Sequence, residues 1–148
     1  MKLSEHFDLE EFTRSQTAAR LCIDNTPPLG VVANLSRLAI TLEAIRNACS
    51  GRPITISSGY RCPTLNQRIG GSRTSAHMDG RAADIHVRGM SPGSVAQAIV
   101  NADIELDQLI YEGAWVHVGI AKPGSAPRGD VLTAEFSGRG VTYRRGIG

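Results

Sequence analysis

Aromatic residues make up only 5% of this 148-residue chain. A core built from it must rest on Leu, Ile, Val and Ala rather than on large rings. No stretch approaches the roughly 18 consecutive apolar residues of a membrane span, so no membrane insertion is expected. Charge of one sign is also missing: 16 Lys and Arg face 14 Asp and Glu, a net of +2. That excess is too small to argue for a nucleic-acid partner. The three cysteines, Cys22, Cys49 and Cys62, form no CxxC and no zinc-knuckle spacing, so free thiols are expected. The opening "MKLSEHFDLEEF" turns acidic soon after Lys2 and has no apolar h-region. A Sec signal peptide is therefore not expected, and synthesis in the cytoplasm is. Internal repeats and low-complexity linkers are absent.

What is present fits one globular domain over residues 1–148: 41% hydrophobic and 20% charged residues, at a length that buries a real core. Residues 1–29 read as an N-terminal arm in which "LEEFTRS" forms a short helical turn anchored by Phe12, closed by the Pro-rich break "DNTPPLG". Residues 30–125 read as the core. Val31, Leu35, Leu38, Leu42 and Ile45 recur at helical spacing and predict one amphipathic helix of about five turns, stopped at Ser50-Gly51. "PITISSGYR" alternates like a strand, "CPTLNQRIGGSRTS" is polar and broken by Gly70-Gly71, and "AADIHV" is a second strand. "SPGSVAQAIVNA" has Ser91 as N-cap and Pro92 at the first helical position. "LDQLIYEG" and "AWVHVGI" form two strands around a tight turn at Gly113-Ala114, and "DVLTAEF" is a weaker strand. Residues 126–148 then read as that strand and a basic tail. Arg139, Arg144 and Arg145 are there either a solvated end or a patch that helps hold an acidic polymer. This order predicts an α+β fold whose antiparallel sheet carries the chemistry, with helices packed on one side.

The chemistry concentrates in "SAHMDGRAADIHV". Along "AADIHV", Asp84 and His86 share one face while Ala83, Ile85 and Val87 share the other. In "AWVHVGI", His117 lies opposite the apolar Val116, Val118 and Ile120. If the two strands are neighbours, His117 sits beside Asp84. Gly80 permits a turn that bends His77 back over the sheet. Two His and one Asp with an open fourth position is the pattern of catalytic rather than structural zinc. A hydrolytic metal site also needs a base. Glu112, across the turn from His117, is the best placed, and Asp107 is a weaker alternative. Arg61, after "SSGY", is placed to clamp a substrate carboxylate with two hydrogen bonds. His6 has no partner in this pattern and reads as structural or exposed.

"SAHMDGRAAD" fits SxHxxGxAxD; "SSGYR-x4-N" (Ser57 to Asn66) precedes it and "WVHVG" (Trp115 to Gly119) follows. Together, in this order, they resemble the zinc D-alanyl-D-alanine carboxypeptidase and L-alanyl-D-glutamate endopeptidase family, whose fold is shared with the Hedgehog signalling domain. The likeness runs from about Leu3 to Ile120, and the N-terminal arm looks like the phage and prophage endolysin branch. The resemblance implies one zinc ion held by His77, Asp84 and His117, with Arg61 and Ser75 contacting a peptide substrate. Many members carry an acid three residues before the last histidine, where this chain has Ala114; others place it five before, which is Glu112. His86 is expected in the second shell or lining the pocket. The implied substrate is bacterial peptidoglycan, cut either within the stem peptide or cross-link or at its terminal D-Ala. A non-catalytic zinc-bearing virion or binding module is the alternative from another class. A monomer is expected, reaching the wall after holin-type release or as part of a virion.

Overall fold

A computed structural model describes residues 1–147. Five α-helices are described, α1 (Leu9–Thr13), α2 (Gln16–Arg20), α3 (Leu29–Ala48), α4 (Pro63–Arg68) and α5 (Pro92–Asn101). Six strands, β1 (Ile54–Ser58), β2 (Ala82–Val87), β3 (Gln108–Tyr111), β4 (Val116–Gly119), β5 (Asp130–Ser137) and β6 (Gly140–Arg145), form one sheet in the order β1-β2-β4-β3-β5-β6.

The helix predicted from the Leu35-to-Ile45 spacing is α3. Leu35, Leu38, Leu42 and Ile45 are fully buried, and the helix stops where Ser50 and Gly51 take φ values of 61° and 72°. α5 begins as expected: the Ser91 side chain accepts a hydrogen bond from the Ser94 N–H, and Pro92 occupies the first turn, where it forfeits no hydrogen bond. Strand alternation sorts the sheet into two faces. Ala83, Ile85, Val87, Val116, Val118 and Leu109 join one core with α3 and α5 residues. Asp84 and His117 stand on the other face as direct cross-strand partners. Phe12 of α1 is fully buried and packs near Phe7, with ring centroids 6.2 Å apart.

Three features depart from the sequence expectation. The sheet is mixed, because β5 runs parallel to β3 while the other pairings are antiparallel. After β4 the chain leaves the sheet, and Arg128 returns it beside β3 by bonding Asp107. Pairing direction across such a loop leaves no periodic trace in the sequence. The polar segment after β1 contains α4, a helix too short and too polar to show a stripe; Cys62 caps it by accepting from the Leu65 N–H, and Pro63 follows. The basic tail is β6, a strand hairpinned onto β5. Its two arginines, Arg144 and Arg145, follow Val141, Thr142 and Tyr143, which favour strands.

Candidate metal centre

His77 lies on a single 3-10 turn, Ala76–Asp79, between α4 and β2. Ser75 caps that turn by accepting the His77 N–H at 3.2 Å. Gly80 ends it in the left-handed region at φ 71°, where a Cβ would also meet Val31 at 2.8 Å, so glycine is required twice over. Arg81 pins the exit of the turn. It donates to Asp79 from Nε and Nη2 and to the Ile120 carbonyl from Nη1.

This turn drives the His77 ring, 2% exposed, under the sheet face that carries Asp84 and His117. The ring's Nδ1 is 2.7 Å from the Gly59 carbonyl oxygen. A carbonyl can only accept, so Nδ1 carries the proton and Nε2 keeps its lone pair. That Nε2 is buried with no hydrogen-bond partner among the described residues. It faces Asp84 Oδ1 at 3.5 Å. Asp84 Oδ1 is in turn 3.0 Å from His117 Nδ1.

Two acceptors facing each other in a buried place repel unless a cation lies between them. Burial holds His77 below the ordinary histidine pKa, which disfavours putting a proton there. Burial also opposes charge on Asp84, but its hydrogen bond to His117 and the closeness of both imidazoles outweigh this and keep the carboxylate ionised well below the usual range. One donor atom from each residue lies within 4.8 Å of the others. Around tetrahedral zinc, with bonds of about 2.0–2.1 Å to nitrogen and oxygen, donors stand about 3.3 Å apart. The distances of 3.0 and 3.5 Å bracket that edge. The set therefore fits zinc: two imidazoles and one carboxylate that together line an open cleft.

That cleft, of about 500 Å³, is lined by Arg61, Ser75, Glu112, Trp115 and Tyr143 as well as the three metal-site residues. Glu112 follows β3, its N–H bonded to the Trp115 carbonyl across the turn at 3.0 Å. Burial raises its carboxyl above the ordinary value; nearby His117 opposes the shift and Asp84 adds to it. A raised carboxyl at the cleft wall is suited to accept and return a proton near neutrality. Asp107 also borders the cleft, but it is committed elsewhere. Burial opposes its ionisation, yet hydrogen bonds from the Arg128 side chain and N–H hold it below the usual range.

Arg61 enters the cleft from the segment after β1. Its Nη1 donates to Asn66 Oδ1 at 3.2 Å, while its Nε is buried without a partner. Burial lowers its pKa and the Asp84 charge opposes that shift. A guanidinium with an unspent buried donor is ready for an anionic ligand group. Three supporting residues escaped the sequence reading. Asn66, 3% exposed, holds Arg61 and donates to the Ser72 carbonyl. Asn25 reaches from the N-terminal arm to the Tyr60 carbonyl and the Cys62 N–H, gripping both sides of Arg61. Gly59 supplies the carbonyl that orients His77. Gly59 and Asn66 both stand in the quoted "SSGYR-x4-N" stretch, but their hydrogen bonds, like those of Asn25, are known by their partners alone.

His86 is a correction. It does not line the cleft and its side chain is exposed. The β2–β4 pairing ends at Ile85 and Val116, while His86 pairs only with Thr55 on the β1 side. It therefore shares Asp84's face one step beyond the strand that would have enclosed it. His6 is structural as read: its Nδ1 lies 2.7 Å from Glu43 Oε1.

A sheet face bearing Asp84 and His117, a turn that brings His77 against it, and a half-buried glutamate in the same polar cleft define a metal-dependent hydrolase class of site. The chain belongs to the Peptidase M15 family, whose profile matches residues 5–119. It is also similar to the zinc D-Ala-D-Ala carboxypeptidase of Streptomyces albus G, at 40% identity over 60 residues. That match covers 40% of this chain and 24% of the Streptomyces protein, so the two share well under half of the longer chain.

Proposed function

We propose that this chain is a zinc-dependent peptidase of bacterial peptidoglycan, cutting the stem peptide or cross-link as an endolysin does. The observation that carries the reading is the His77 lone pair. It is buried, oriented by the Gly59 carbonyl, and aimed with Asp84 and His117 at one point beside Glu112. Zinc held by His77, Asp84 and His117 would supply a Lewis acid for the scissile carbonyl and would lower the pKa of a nearby water. Glu112 takes a proton from the attacking water and returns it to the leaving amine, which its raised pKa favours. Arg61 holds a carboxylate of the peptide, and the Ser75 hydroxyl, whose oxygen already accepts from His77, donates to a peptide carbonyl.

The name of the Streptomyces albus G relative supports a second reading, removal of a terminal D-Ala. A non-catalytic virion module gains no support from Glu112, since a half-buried acid beside a ligand cluster costs stability without serving such a role. We place the working chain as a monomer at the wall, delivered by holin-type release or carried by a virion.

Muropeptide masses after incubating sacculi with zinc-loaded protein test the proposal. Endopeptidase action splits stem peptides internally, whereas carboxypeptidase action removes one residue's mass from the end. His77→Ala loses both bound metal and cleavage. Glu112→Gln keeps the metal and lowers kcat by on the order of 10²–10⁴. Near-wild-type cleavage by Glu112→Gln would overturn the assigned mechanism.

A further inference from the structure

The β5–β6 hairpin carries its apolar side chains on the outside. Phe136 is 59% exposed, Tyr143 53% and Val141 44%. Isolated exposed apolar residues need no explanation, but these three are aligned. Phe136 pairs with Val141 and Ala134 with Tyr143. Cross-strand partners share a face. The same face is traced through Leu132 to Ile110, Ile110 to His117, and His117 to Asp84. The stripe therefore continues the face that holds the metal site.

It is also joined to that site. Tyr143 lines the catalytic cleft. A Cβ at Gly113, in the turn after Glu112, would stand 3.8 Å from the Phe136 ring. Arg145 lies on this face opposite Leu132, and Arg139 sits exposed at the hairpin turn. The whole hairpin follows residue 119, where the family match ends.

We infer that the site face of the β5–β6 hairpin, Tyr143, Phe136, Val141 and Arg145, binds the glycan strand of the wall polymer whose peptide enters the cleft. This rests on the peptidoglycan reading above. A stem peptide held at the metal site keeps its glycan attached nearby, and the cleft wall runs unbroken onto the hairpin. Ring faces and an aliphatic side chain suit the C–H faces of pyranose sugars, while arginines donate to acetyl and carboxylate oxygens. A strand of this length offers about 20 Å of surface. β6 is also a sheet edge, so a second copy of this chain is the principal rival occupant.

Peptide-free glycan oligosaccharides, stripped of stem peptides by an amidase, are titrated into zinc-loaded full-length protein. Affinity is followed by calorimetry and the oligomeric state by light scattering. The proposal expects glycan binding to a monomer, weakened roughly tenfold by the Phe136→Ala/Val141→Ala double variant, with its fold unchanged by circular dichroism. Phe136→Tyr, which keeps the ring, retains affinity. Equal binding by wild type and the double variant, or no binding by either, overturns the inference while leaving peptide cleavage untouched. Dimers in wild type that dissociate in the double variant give the surface to a second copy and overturn it too. Hairpin-dependent glycan binding without cleavage of any wall peptide would instead overturn the peptidase reading and leave this one standing.

Discussion

The two ends of the sheet invert the usual rule of burial. At β2, β4 and the turn before β2, polar side chains are sunk: His77 and Asp84 are largely buried, and a lone pair is left without a partner among the described residues. At β5 and β6, apolar side chains stand in solvent: Phe136, Val141 and Tyr143 are each more than two-fifths exposed. Each arrangement costs free energy that packing alone would not accept. The buried polar end is held by surrounding structure on every side, from the Gly59 carbonyl to the Arg81 clamp. The exposed apolar end is attached along one side only, through β3. Chemistry needs fixed lone pairs in a low dielectric, whereas a binding surface needs accessible area.

The comparison breaks most sharply at Gly59. A Cβ there would come within 2.4 Å of the Phe12 carbonyl oxygen, a backbone atom that cannot swing aside. Gly59→Ala should shift the carbonyl that orients His77 and weaken zinc binding by about 10–100-fold, measured by competition with a chromogenic chelator. Unchanged zinc affinity would show that His77 is held by its turn alone.

A pair of truncations sharpens the difference in packing. Val116, fully buried, lies on the central strand β4, and Val141, 44% exposed, on the edge strand β6. Val116→Ala should destabilise by about 1–3 kcal/mol in urea unfolding. Val141→Ala should stay within about 0.5 kcal/mol. A large loss at Val141 would mean that the hairpin face is covered.

The smallest effect concerns the joint between the two ends. Asp107, at the entry to β3, accepts three N–H donors of Arg128, ahead of β5. Burial opposes its ionisation, but hydrogen bonds from Arg128 hold the folded pKa of Asp107 below the ordinary aspartate value. A depressed carboxylate adds stability that is present above the unfolded pKa and is lost as pH falls through the folded one. Asp107→Asn should therefore lower stability at neutral pH by no more than about 1 kcal/mol, because Arg128 is 62% exposed. The difference from wild type should shrink as the pH falls through the lowered folded pKa of Asp107. A difference that persists in acid would point to packing rather than charge.

Much of the metal site was legible because strand alternation carries it. Period-two patterning put Asp84 and His117 opposite their apolar neighbours, and the glycine after Asp79 announced the turn beneath His77. The same rule misled at His86, because alternation assigns a face but not how far the neighbouring strand extends. The roles of Asn25 and Gly59 were invisible: each acts through hydrogen bonds to residues far along the chain. β6 was hidden by the arginines around it, which drew attention to charge rather than to the short strand-favouring run Val141 to Tyr143.

By itself the sequence determined the local periodicities, the caps, the core face and which residue types could bind a metal, since these depend on neighbours a few positions apart. The tertiary structure decided what depends on partners brought from afar. It set the parallel β3–β5 pairing, the proton on His77 Nδ1, the unspent donor on Arg61, and the continuation of the metal-site face onto an exposed aromatic hairpin. Strand order and hydrogen-bond direction are properties of the packed sheet, and no segment of the chain encodes them alone.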